Sequence, residues 1–235
     1  MQPLLEPNKK PSPSTGEGQG EGEKPLNFHK RWYNEAMQQR DIASDDRVAI
    51  FIDGSNLYHG LRSNFGHHNI TFSDFAKKLC GERRLFRTYY YNVLQDATQK
   101  PDGYRDQQEF LDTLRKTPYL EIRLGTTKVS QGIAVEKGID IMLATDLLYF
   151  AWNNFYDVAV LVSGDADFAY ALQAVKNMGK HVEVAYFETG ASKDLLSVAD
   201  NRYLLNRAFF TGLWTHRSYK YRRRVPVKPQ EPAAQ

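Results

Sequence analysis

Two unbroken apolar runs, Val-Ala-Ile-Phe-Ile at 48–52 and Val-Ala-Val-Leu-Val at 158–162, each stop abruptly at a polar turn. A strand covered by helices on both faces loses inside–outside alternation, so these runs predict central strands of a parallel sheet. Segments 88–93 and 182–187, rich in β-branched and aromatic residues, and 120–124, with alternating apolar positions, supply the other predicted strands. Helical spacing fills the gaps: 72–79, then Phe110 with Leu111 and Leu114, then 139–152, then Phe168 with Leu172, Val175 and Met178. This rhythm predicts an α/β fold, a three-layer α/β/α sandwich on a mainly parallel sheet of about five strands. A short helix at 195–198 and a closing segment at 203–213 end it. In such sheets, sites form beyond the carboxyl ends of the strands.

The flanks differ from this body. Residues 6–25 contain no hydrophobic side chain, too little to offset chain entropy, so 1–27 reads as a disordered polar tail. Its glycines are not a dinucleotide fingerprint, since no strand precedes them and no helix follows. Phe28, Trp32, Ala36 and Met37 share one stripe, predicting an amphipathic helix and linker over 28–46 that docks on the domain or on a partner. The folded domain then spans 47–215 and a basic tail 216–235.

With 235 residues, 41% of them hydrophobic, the chain can bury one sizeable core. The lone cysteine, Cys80, excludes an intrachain disulfide framework and fits a reducing compartment. The opening residues lack a signal core, and no stretch is long and apolar enough to span a bilayer, so the expected setting is cytoplasmic, with no membrane partner. The formal charge of +3 conceals an asymmetry. Residues 216–235 hold six of the 31 basic side chains and one of the 28 acidic ones, giving the tail +5 and the remainder −2.

Candidate chemistry sits in three acidic motifs. Asp53-Gly54-Ser55-Asn56 follows the first apolar run, Ser163-Gly164-Asp165 with Asp167-Phe168 follows the second, and Glu136-Lys137-Gly138-Ile139-Asp140 opens the helical pattern at 139–152. Carboxylates gathered at strand ends repel one another and lose hydration unless a cation or proton sits between them. A plainer account is available for each turn: Ser55 or Asn56 as a helix N-cap, and Gly164 supplying a permissive backbone angle. Repetition argues against that account, because a parallel sheet places both turns on one edge. Asp140 lies four residues after Glu136 on the predicted helix, in an otherwise apolar stretch where a charge calls for a partner. Glu136 equally suits a helix start through the dipole. Asp146 is rotated off the Asp140 face and reads as a cap or a structural hydrogen bond. An oxygen-only set without a Cys/His cluster suits Mg²⁺ or Mn²⁺ rather than zinc, and His67-His68 read as loop residues. There is no G-x-S-x-G elbow, no Walker-type loop and no motif around Cys80. Metal-assisted hydrolysis of a phosphodiester, leaving 5′-phosphate and 3′-hydroxyl ends, is the chemistry that fits.

At these motifs, over about 47–205, the chain resembles a NYN domain of the LabA-like branch of the PIN-like ribonuclease superfamily. The resemblance implies an α/β/α fold and RNA cleavage at a carboxylate metal site. It assigns metal binding to Asp53, Asp140, Asp165 and Asp167, and gives Asn56 and Ser163 supporting roles in orienting ligands or phosphate. The tail lies outside the resemblance. Arg217, Lys220, Arg222, Arg223 and Arg224, with Lys228, interleave with Tyr219 and Tyr221, which pairs cations for phosphates with rings for bases. Lys137 joins them as a candidate RNA contact. RNA is thus the expected partner. DNA cleavage, a non-hydrolytic RNA-binding module and self-association into a homodimer stay open.

Overall fold

The computed structural model describes residues 45–130 and 133–215, with the backbone alone for 126–137. The polar segment, the stripe from Phe28 to Met37 and the basic tail lie outside the described residues. Seven strands form one sheet: β1 (Arg47–Asp53), β2 (Arg84–Val93), β3 (Leu120–Ser130), β4 (Ile133–Lys137), β5 (Val158–Val162), β6 (His181–Tyr186) and β7 (Asn201–Leu204). Their order is β4-β3-β2-β1-β5-β6-β7. All pairs are parallel except β3 with β4.

Six helices complete the layers: α1 (Gly54–Phe65), α2 (Phe72–Cys80), α3 (Pro101–Arg115), α4 (Ile139–Trp152), α5 (Ala169–Asn177) and α6 (Lys193–Val198). A single 3₁₀ turn, Ala166–Phe168, leads into α5. The three-layer reading holds, and the apolar runs are the central strands β1 and β5, paired with each other.

Why β1 sits at the centre is visible in its alternate residues. Val48, Ile50 and Ile52 pack on one side with Leu57 and Leu61 of α1 and Phe75 and Leu79 of α2. Ala49 and Phe51 pack on the other with Leu143 and Phe150 of α4 and Leu172 of α5. All five are fully buried, and burial of each larger side chain contributes about 1.5–3 kcal/mol toward the entropy of ordering the chain. Phe51 also stacks on Tyr89 of β2, with ring centroids 5.4 Å apart. The core therefore holds the carboxyl ends of β1, β2 and β5 in fixed register: Ile52 pairs with Val162, and Asp53 with Tyr91.

The sheet has two more strands than the apolar pattern predicts. β4 turns back on β3, with Thr126 opposite Lys137 and Ser130 opposite Ile133. Glu136 and Lys137 thus lie in a strand rather than at a helix start, and Glu136 shares no helical face with Asp140. β7 is a polar edge strand (Asn-Arg-Tyr-Leu) beside β6, without the apolar run that marks a central strand. Among the described residues no helix is long and apolar enough to cross a membrane.

Candidate active site

Asp53 ends β1 and caps α1 in the same residue. Its backbone is extended (φ −70°, ψ 102°), and its Oδ1 accepts the Asn56 backbone N–H at 3.0 Å. Ser163, the first residue beyond β5, donates its hydroxyl to Asp53 Oδ2 at 3.1 Å. The same Oγ accepts the Asp165 N–H at 3.2 Å. Asn56 completes the lacing: its Oδ1 accepts the Gly164 N–H at 3.2 Å. Two turns 108–110 residues apart in sequence are thereby tied into one rigid edge. Asp165 caps the 3₁₀ turn, accepting the Asp167 N–H at 3.0 Å.

Close approach requires Gly54 and favours a small residue at Gly164. A Cβ on Gly54 would stand 2.5 Å from the Tyr90 ring and 2.6 Å from the Tyr91 carbonyl oxygen, and one on Gly164 would stand 3.1 Å from Ala191 Cα. Gly138, left-handed at φ 85°, swings the chain from β4 into α4 and sets Asp140 in the first helical turn. A cleft of about 320 Å³ opens above these ends, lined by Asp53, Asn56, Asp140 and Asp165 together with Ser55, His59 and Asn92.

Electrostatically the cleft penalises its own negative charge. Burial pushes the Asp53 carboxyl above its ordinary range; the bonds from Asn56 and Ser163 oppose that rise, while Asp140 and Asp165 add to it. Asp140 is also raised, first by burial of its carboxylate and then by Asp165 and Asp167. Such a site favours a proton or a cation. Among the described residues, no three His, Cys, Asp or Glu side chains form a ready-made metal cluster.

Residues 47–206, which carry this sheet edge and every cleft residue, match the model of the NYN domain. The chain belongs to the NYN-domain family. Over 162 residues it is 28% identical to the low amplitude and bright protein LabA of Synechococcus elongatus, covering 68% of this chain and 84% of that protein. A protein of unknown function from Vibrio parahaemolyticus RIMD 2210633 shares the fold, with a TM-score of 0.58 at 22% identity over 70% of this chain and 96% of that one.

Within this NYN domain the structure brings Asp53, Asn56, Asp140 and Asp165 to one cleft, with Ser163 beneath them. Asp167 stands outside the lining, exposed, and acts through its charge on Asp140. Two details of the plainer account of the turns are corrected. The N-cap is Asp53 itself, because its carboxylate reaches the Asn56 N–H while Ser55 and Asn56 already lie within α1. Gly164 packs tightly against Ala191 and does not adopt a positive φ. Asp140 is exposed in the first turn of α4, with its carboxylate partly desolvated on the cleft side. Asp146 is structural, as its position suggested: Tyr91 donates to its Oδ2 at 2.8 Å, and Arg123 Nε lies 3.6 Å away. His67 and His68 are loop residues. The side chain of Lys137, and all of Arg217, Tyr219, Lys220, Tyr221, Arg222, Arg223 and Arg224, lie outside what is described.

Two lining residues escaped the sequence reading. Asn92 continues β2 one residue past Tyr91, the partner of Asp53 in the ladder, and a polar residue at the end of an aromatic strand was the available signal. His59 lies three residues after Asn56 on α1, on the same face by helical spacing, but α1 was not foreseen beyond its first turn.

Proposed function

We propose that this NYN domain is a ribonuclease that hydrolyses RNA phosphodiester bonds with Mg²⁺ or Mn²⁺. The observation that carries the reading is Asp53, a carboxylate 6% exposed at the end of the central strand, raised by burial and facing the Asp140 and Asp165 charges across a cleft open to solvent. A structural aspartate is satisfied by its neighbours, whereas this one is held by two hydrogen bonds and still strained by like charge. Asp53, Asp140 and Asp165 would hold the ion, with Asp167 adding to the field that attracts it. A divalent cation held there would supply Lewis acidity that promotes phosphodiester hydrolysis. Ser163 and Asn56 keep the Asp53 carboxylate and the Gly164 turn aimed at the cleft, so ligand and phosphate meet a preorganised edge. Membership of a family within the PIN-like ribonucleases supports RNA as the substrate.

The looseness of the carboxylate set favours one second reading, a module that binds RNA without cutting it. A cleavage assay with Mg²⁺ or Mn²⁺ on single-stranded RNA, structured RNA and DNA separates the two. The ribonuclease reading expects RNA cleavage that chelation stops and that Asp53→Asn abolishes. RNA binding without cleavage in either metal would establish the module, and cutting of DNA in preference would change the substrate class.

A further inference from the structure

An acidic cleft presents a problem for a polyanionic substrate: before a cation arrives, its phosphates are repelled by the residues that must act on them. At the cleft itself, affinity then has to come from parts of the nucleotide that carry no charge. One rim of the cleft offers them a surface. His59, exposed, lines the cleft from α1. The Tyr58 ring lies against it, with centroids 5.3 Å apart and planes at 80°. The His68 ring, from the loop after α1, lies on Tyr58 at 4.8 Å. His68 is half-buried, its Nδ1 is buried without a hydrogen-bond partner, and its ring is tilted 58° to that of Tyr58, so it supports the tyrosine by an inclined ring contact. Burial also lowers its pKa, which favours the uncharged ring. Tyr58 itself stays 41% exposed, a large ring outside the cleft lining but in contact with His59, which belongs to it.

We propose that Tyr58, propped by His68 and flanked by His59, is a stacking platform for an unpaired nucleobase next to the phosphate held in the cleft. The inference rests on the ribonuclease reading for its substrate and deepens it. A base inside a duplex has both faces covered by its neighbours, whereas an unstacked base can lie on an aromatic ring. The platform therefore selects single-stranded or looped RNA without selecting a sequence, since every base presents a π-face. It also supplies affinity that does not depend on bound metal.

The test measures fluorescence anisotropy of a labelled single-stranded oligoribonucleotide, and of the same backbone made abasic, on the full chain carrying Asp53→Asn to prevent cleavage. Tyr58→Ala should raise Kd for the base-bearing strand roughly 5- to 150-fold. It should change Kd for the abasic strand less than about twofold, and leave the slope of log affinity against log salt unaltered, because no cation is removed. Tyr58→Phe should bind like the parent, which together with an unchanged melting curve separates stacking from packing. Trp152→Ala serves as the control for an exposed ring elsewhere: Trp152 is 79% exposed at the far end of α4, about 20 Å along the helix from Asp140. If Tyr58→Ala binds as tightly as the parent, or weakens both strands equally, the platform is refuted while wild-type cleavage still upholds the nuclease. Should the strand bind in a base-dependent, Tyr58-dependent way with no cleavage by the wild type, the platform stands and the nuclease falls. No binding of either strand refutes the platform, and wild-type cleavage then decides the nuclease by itself.

Discussion

Ser163→Ala tests the lacing of the cleft most directly. Ser163 is 1% exposed, and its single hydroxyl serves two turns, donating to Asp53 and accepting from the Asp165 N–H. Loss of a hydrogen bond to a charged group costs about 1.5–3 kcal/mol, and of a neutral one about 1 kcal/mol. The Asp165 N–H, near the surface, can turn to water and recover part of its share. The expected loss near neutral pH is therefore about 2–4 kcal/mol, or roughly 4–16 °C in melting temperature for a domain of this size. The sign of its pH dependence follows from Asp53. Its folded pKa is already raised, so ionisation weakens the native state, and stability from this group is lost as pH rises through the folded pKa. The bond from Ser163 opposes that rise, so removing it pushes the folded pKa higher and enlarges the loss. The gap between wild type and variant should then be smallest in acid, where Asp53 is protonated in both, and widen toward neutrality. Urea denaturation of the metal-free proteins from about pH 4 to about pH 8 reads this gap. A penalty that is flat across this range, or larger in acid, would refute the claim that Ser163 supports an ionised Asp53.

Gly54→Ala should destabilise by roughly 1–3 kcal/mol even after the gain in helix propensity, because its Cβ meets a tyrosine ring and a backbone carbonyl; an unchanged urea midpoint would show that β2 gives way. Millimolar Mg²⁺ or Mn²⁺ should raise the melting temperature of the wild type, by about 2.7 kcal/mol of stability at a hundred times Kd, and Asp140→Asn should blunt that shift; calorimetry detecting no binding would remove the metal from the account. Asp53→Asn should melt no lower than metal-free wild type at neutral pH, since it removes a charge that burial opposes and keeps an N-cap acceptor, and a clear drop would mean the carboxylate is structural. Deleting 218–235 should make the salt slope for single-stranded RNA shallower by about 3 if about four tail cations touch phosphate, whereas an unchanged slope would make the tail a spectator.

The sequence alone determined the features that burial writes locally. A short, β-branched apolar run stopped by a polar turn reads as a strand covered on both faces, so β1 and β5 were legible, while the greater length of the apolar stretch Ile139–Trp152 marked it as a helix. Placing Asp53 and Asp165 beyond those strands followed, because parallel strands end on one edge. Tertiary structure decided what rests on partners far apart in the chain. That Ser163 serves Asp53, that Asn56 holds Gly164, and that Gly54 must be small because β2 passes beside it are facts about neighbours, 110 residues distant in the first case, and no local pattern records them. The same holds for the strands that were missed. β4 exists because β3 offers it a ladder, and β7 because β6 leaves an edge to pair. Their backbone hydrogen bonds carry little side-chain signature, whereas a buried strand must be apolar residue after residue to lie where it does.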